Sequence, residues 1–259
     1  MPRRYLLPIC LSLAVAGNCA AQAGSSSSMA LNLVAGENFI SIPLELKSDA
    51  LADVFRAGAL PAGKTDADST VIFTYGVTAD ARPRPVYYRL SEDGHWMYST
   101  GGLADAATLT PGEGFNIRLP ADAAAHKLTV TGRATAMPVT RELAGKEGAT
   151  NYHVVSWPYL CPGRVGDLGL REAGFEGGRN AAQSDEIRIL DNANGQGSTQ
   201  TPKARIWFDA ATSRFEFTAP RSGPADDYLI EPGEAIIVVR KRAPALVWTV
   251  NSPCPGGAD

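Results

Sequence analysis

Leu109-Thr110-Pro111-Gly112-Glu113-Gly114-Phe115-Asn116-Ile117-Arg118 returns later in the chain as Ile230-Glu231-Pro232-Gly233-Glu234-Ala235-Ile236-Ile237-Val238-Val239. In each copy proline presets φ at the first central position of a tight turn and glycine supplies positive φ at the second, so the pair launches a strand at a fixed angle. Pro111, Gly112, Pro232 and Gly233 are therefore structural turn residues. Behind the first turn Phe115, Ile117 and Leu119 alternate with Asn116 and Arg118, the pattern of a half-buried strand. Behind the second, Ile236 to Val239 are apolar throughout, as expected of a strand covered on both faces. One module is written twice, which predicts an all-β chain of two tandem antiparallel modules, each a twisted sheet or small barrel with one short helix.

Working outward, the chain of 259 residues opens on Arg3-Arg4, an apolar run from Tyr5 to Ala16, and the small residues Ala21-Gln22-Ala23. That is the pattern of an export signal, predicting cleavage of residues 1–23 and a final location in the periplasm, at the cell surface or outside the cell. Removing the signal takes two arginines and no acid, so the formal charge of −3 becomes two units more negative. A mildly acidic product has no basic reservoir for nucleic acid or anionic lipid. No second long apolar run follows the signal, so no membrane span is expected. The high count of 26 Gly and 18 Pro fits short strands joined by tight turns.

Residues 24–28 read as a flexible Gly/Ser leader, 29–136 as the first β module, 137–253 as the second and 254–259 as a C-terminal tail, each module being long enough to bury its own core. Phe39-Ile40-Ser41-Ile42-Pro43 matches His153-Val154-Val155-Ser156-Trp157-Pro158, with Ser, one apolar residue and Pro kept in both. Ser48-Asp49 offers an N-cap to a two-turn helix carrying Leu51, Val54 and Phe55, echoed weakly by Val165 to Leu168. Strands follow at Val71–Tyr75 and Glu186–Leu190. The loop from Asp80 to Pro85 is stiffened by proline, and the one from Asp191 to Pro202 is polar. An aromatic hairpin then aligns Tyr88 with Trp207, Trp96 with Phe215 and Tyr98 with Phe217. These pairs read as core, and by strand alternation Tyr87, Met97 and Phe208 stand on the opposite face as tentative binding residues. Leu128-Thr129-Val130 and Leu246-Val247-Trp248 close the modules.

The succession Gly36-Glu37-Asn38, Ser41-Ile42-Pro43, a Tyr-containing strand, Gly94-His95-Trp96, Leu109 to Phe115 and a closing strand ending at Gly132 resembles the duplicated β modules of secreted bacterial proteins, those of Verrucomicrobia above all. Related modules occur in archaeal surface proteins. The resemblance covers residues 29–252; the second copy departs from it at Ala235 and His153, where the first has Gly114 and Asn38. It brings no catalytic residues to this chain.

Chemistry has little hold on the sequence. His95, His126 and His153 share no ligand spacing, and no nucleophile-elbow, phosphate-loop or dinucleotide motif occurs. Asp191-Asn192-Ala193-Asn194-Gly195 lacks the oxygen ligands of a calcium loop. No metal or cofactor is expected, and Glu113 and Glu234 read as turn residues of separate modules. Arg240-Lys241-Arg242 reads as a solvated strand end. The expected function is that of an exported, non-enzymatic structural or interaction protein of the cell envelope or extracellular space, with an envelope protein or a glycan as partner. The alternative is a carbohydrate-binding module using exposed hairpin aromatics. Two of the four cysteines leave with the signal; Cys161 and Cys254 remain in a compartment where thiols oxidise, which predicts one disulfide joining the rim of the opening strand to the end of the closing strand.

Overall fold

The structure is a computed structural model and describes residues 26–56, 58–77, 83–109, 112–135, 137–144, 148–190, 202–241 and 245–254. The expected export signal, Pro111, the Asp191–Gly195 stretch and Arg242 lie outside them. The first half contains β1 (Ser26–Leu33), β2 (Gly36–Ile40), β3 (Leu44–Leu46), α1 (Leu51–Val54), β4 (Val71–Val77), β5 (Pro83–Leu90), β6 (Trp96–Tyr98), β7 (Phe115–Leu119) and β8 (His126–Ala134). The second contains β9 (Val139–Leu143), β10 (Asn151–Ser156), β11 (Gly163–Arg164), a 3-10 turn (Val165–Asp167), α2 (Leu170–Ala173), β12 (Glu186–Leu190), β13 (Pro202–Asp209), β14 (Arg214–Phe217), β15 (Leu229–Ile230), β16 (Ala235–Arg240) and β17 (Leu246–Val250). The chain is all-β, and among the described residues the ladders between strands are antiparallel, with isolated parallel bridges at Gly63–Ser91 and Gly178–Asp209.

Each half holds a five-stranded sheet, in the order β2-β7-β4-β5-β6 in the first and β10-β16-β12-β13-β14 in the second. Strand for strand the two orders correspond. In the first half β1-β8-β3 packs over the large sheet and closes a core of Leu31, Leu44, Phe55, Ile72, Trp96, Phe115, Ile117 and Val130. In the second, β9-β17 and β11-β15 close a core of Trp157, Tyr159, Leu168, Ile187, Ile206, Phe215, Ile236, Val238 and Trp248. The apolar run of β16 is buried on both faces as its composition demands. Ile236 and Val238 enter this core, while Ala235, Ile237 and Val239 turn to a smaller cluster shared with Phe39 and Tyr75 of the first half.

That shared cluster sits beside the quoted turns, and there the two halves hydrogen-bond to each other reciprocally. Ser41 N donates to Gly233 O at 2.9 Å, and Ser156 N donates to Gly112 O at 3.0 Å. Ser41 Oγ adds a bond to Glu234 O at 3.0 Å, and Gly114 N donates to Val154 O at 3.2 Å. Each Pro-Gly turn thus receives the Ser-x-Pro segment of the other half. The left-handed backbone that proline and glycine were expected to provide is present, with φ of 75° at Gly112 and 88° at Gly233.

Several expectations need correction. Ser26 to Ser28 belong to β1, paired with Arg133 to Thr131, because β8 is long enough to hold them; they are not a free leader. The first helix is a single turn whose N-cap is Ala50, with no side-chain cap; Ser48 Oγ instead donates to Asp53 at 2.5 Å. Arg240 is not a solvated strand end but lies 2 % exposed in side chain, its Nε 2.8 Å from Asp185 Oδ2. Cys161 and Cys254 are bonded with Cα atoms 5.8 Å apart, which ties the start of the tail to the second core.

Candidate functional site

The three tentative binding residues are not brought together. Tyr87 and Met97 do lie on the outer face of the first sheet, both half-buried, with the Tyr87 ring 5.7 Å from Phe73 and Met97 opposite Arg89. Arg118 stands over the Phe73 ring at 5.4 Å, so this face is a packed aromatic and cationic row. Phe208 belongs to the opposite side: it pairs with Phe215 across the hairpin, ring centres 5.3 Å apart, and packs on the second core.

The cause is a slip of one residue. Leu90 pairs with Trp96 in the first hairpin and Phe208 with Phe215 in the second, so the second turn carries one residue more. Tyr88 therefore corresponds to Ile206, not Trp207, since both stand opposite the matching isoleucines Ile72 and Ile187. A slip of one exchanges the faces of a strand, which sends Phe208 inward and Trp207 outward. Tyr98, taken as core, is 39 % exposed at the open end of the three-residue β6.

With Trp207 outward, the outer face of the second sheet, where Val154, Ile237 and Val239 pack on the first half, carries a constellation beside that cluster. Reading across it, Tyr152, Val239, Glu186, Trp207 and Glu216 form one row, and Val154, Ile237, Arg188 and Arg205 the next. Glu186 is completely buried, yet its carboxylate accepts from Arg188 Nε at 3.0 Å and Nη2 at 3.3 Å, and from Arg205 Nε at 2.5 Å and Nη2 at 3.1 Å. Lys241 Nζ stands 3.8 Å from the same carboxylate. Burial alone pushes the Glu186 carboxyl up, but the hydrogen bonds from Arg205 and Arg188 outweigh it and hold the group below its ordinary value. Arg205 is correspondingly raised, chiefly by its hydrogen bonds to Glu186. Arg188 covers the Tyr152 ring at 5.6 Å, and Tyr152 is 42 % exposed.

Three cations on one carboxylate leave an excess of two positive charges between two aromatic side chains. Both arginines are pinned in place by bidentate bonds, so their exposed edges present a fixed array to a ligand. A general acid needs a raised pKa, and Glu186 is held ionised, so the arrangement suits binding better than proton transfer. The alternation Glu186-Ile187-Arg188-Ile189, with Arg205 and Trp207 two apart on the next strand, already placed these side chains on one face; the misaligned hairpin concealed the last of them.

Elsewhere the titratable groups are structural. His95 Nδ1 lies 2.7 Å from Asp105 Oδ2 at the hairpin mouth. His153 is buried, its pKa lowered first by desolvation and further by the charge of Arg240. Tyr75, in the shared cluster, is pushed up to about 12 by burial and by the charge of Glu37. Glu234 binds Lys203 Nζ at 2.6 Å and caps Glu231 N at 2.9 Å, a turn role. Among the described residues, no group of three or more His, Cys, Asp or Glu is placed to hold a metal ion.

No family model, curated protein or solved structure matches this chain. The reading of its function therefore rests on its own geometry.

Proposed function

We propose that the chain is an exported, non-enzymatic interaction protein of the cell envelope or extracellular space, and that it binds through the outer face of the second sheet. The observation that carries this reading is the buried Glu186 carboxylate, which fixes Arg188 and Arg205 between Tyr152 and Trp207. Fixed donors lose little freedom when a partner docks, and aromatic and arginine side chains dominate binding energy at interfaces. The Cys161–Cys254 bond is compatible with an oxidising compartment, and no helix among the described residues is long and apolar enough to cross a membrane. The test is affinity capture from envelope extract with the mature protein. A specific component retained by the native protein and lost with Arg205→Glu supports the reading; equal retention by both sinks it.

A second reading, carbohydrate binding, draws on the same rings. Tyr152 and Trp207 share one row of the sheet with charged hydrogen-bonding groups between them, which suits stacking on a sugar. A glycan array in which Trp207→Ala removes a signal that Tyr87→Ala and Met97→Ala leave intact would favour it. No retained sugar would reject it.

A further inference from the structure

The closing strands β8 and β17 occupy corresponding places, since Leu128 pairs with Leu31 as Leu246 pairs with Leu143. Their other edges are treated differently. In the second half that edge is covered. Gly169 packs so closely on β17 that a Cβ there would stand 2.7 Å from Thr249 O, Trp248 Nε1 donates to Leu168 O at 2.6 Å, and α2 lies on the strand. In the first half β3 pairs only with Gly132, Arg133 and Ala134 before the chain turns away at Lys47. The stretch Lys127 to Thr131 keeps β1 on one side, and on the other borders a groove of about 840 Å³ that runs between it, Leu46–Ser48 and α1. Among the described residues, no backbone group outside the β1 ladder bonds to this stretch. Val130 stands where the second half has Trp248, so the side chain that fills this position there is missing here.

We propose that the free edge of β8 receives an extended acidic peptide segment of a partner protein by strand addition, in line with β3. An unpaired strand edge is a template for another chain, and folds ordinarily cover it as the second half does. Five residues of edge span roughly 17 Å, enough to pair a short extended segment. The groove supplies Leu46, Val54, Leu128 and Val130 for apolar side chains of such a segment. Its rim carries Lys47, Arg56 and Lys127, against Asp53, whose carboxylate is engaged by Ser48. Alternating acidic and apolar side chains satisfy both. A second copy of this chain does not, because its own edge would bring Lys127 and the neighbouring cations against their like; Lys on an edge is a known bar to self-pairing.

The inference rests on the interaction reading above but uses a different surface, so the two can fail separately. The probe is a hexapeptide alternating aspartate and valine, added to the full mature protein, with a lysine–valine hexapeptide as control. Amide exchange at Lys127 to Thr131 should slow by roughly tenfold or more with the acidic peptide while Leu246 to Val250 are unchanged. The exposed triple substitution Lys47→Glu, Arg56→Glu, Lys127→Glu should abolish that protection and transfer it to the lysine–valine peptide. Unchanged exchange at the highest soluble peptide concentration, or acidic-peptide protection that survives the triple substitution, overturns the proposal. Protection confined to Tyr152 and Trp207 would also overturn it while leaving the interaction reading standing; envelope capture that is equal for native protein and Arg205→Glu, with the edge still protected, would do the reverse.

Discussion

Replacing Gly114 by valine should uncouple the two halves without unfolding either. Gly114 does not hold positive φ, so the substitution carries no left-handed strain; its effect is one of space. A Cβ built there lies 2.9 Å from Ala235 Cβ, 2.9 Å from Val154 Cγ1 and 3.0 Å from Val155 O, all across the junction. Carbon atoms pack at about 3.5 to 4.0 Å, so even one added carbon forces β7 and β10 apart, and the branched valine forces them further. The opening strains the Gly114 N to Val154 O and Ser156 N to Gly112 O bonds, each worth about 0.5 to 1.5 kcal/mol. It also overpacks the shared cluster around Val154 and Ala235, at a cost of about 1 to 3 kcal/mol. The sum is on the order of 2 to 6 kcal/mol, nearly all of it taken from the contact between halves. Denaturant unfolding followed by tryptophan fluorescence provides the assay in two backgrounds: Trp96→Phe leaves Trp157, Trp207 and Trp248 to report the second half, and Phe at those three leaves Trp96 to report the first core. Native protein should unfold with the two reports coincident, and Gly114→Val should separate them. Coincident transitions at an unchanged midpoint in the variant would refute the account of the junction.

Gly112→Val and Gly233→Val act through backbone strain as well as space: φ is 75° and 88°, and a Cβ would meet the Arg141 guanidinium at the first and Met29 Cε at the second, so each should cost at least about 1 to 3 kcal/mol in thermal unfolding. Unchanged melting in both would show that the turns tolerate a side chain. Cys161→Ser with Cys254→Ser opens a loop of 93 residues and should lower the stability of the second half by up to about 4 to 5 kcal/mol, its transition moving ahead of the Trp96 report. A stability equal to that of native protein would contradict it. His153 has a folded pKa below its ordinary 6.5, so its contribution is complete above that pH and is lost as pH falls through the depressed value. Glu186, lowered from 4.5, contributes fully above 4.5 and loses its share only below it. His153→Asn should therefore flatten the decline of stability between pH 6.5 and 4.5; an unaltered slope in pH-dependent denaturation would reject this assignment.

How far the sequence could be read follows from what each signal measures. The unbroken run from Ile236 to Val239 reports burial directly and that strand lies as it reads, whereas the alternation at Phe115 to Leu119 understates burial: Asn116 is 4 % exposed and accepts from Asn38 N at 3.2 Å. The Pro-Gly turns were legible because proline and glycine act on their own backbone. Their second task, receiving the Ser-x-Pro segment of the other half, was not, because backbone hydrogen bonds between distant segments leave no mark in residue type. Gly114 is the exception: it is glycine where the other copy has Ala235 because Ala235 itself occupies the space. The proposed binding face was missed through register. Trp207 and Phe208 are both aromatic, so nothing in their composition says which faces in, and one extra turn residue reverses the answer. Arg240 was misread for a similar reason, since its partner Asp185 is 55 residues away.

Site-specific photo-crosslinking in the cell that makes the protein tests the central claim most directly. A photoreactive phenylalanine analogue placed at Tyr152, beside the Glu186 array, should yield a discrete adduct with an envelope component, and Arg205→Glu should abolish it. The same analogue at Val247, 64 % exposed on the second closing strand, should yield none. Adducts of equal yield from both positions, or none from Tyr152, would contradict the assignment of this face as the binding surface.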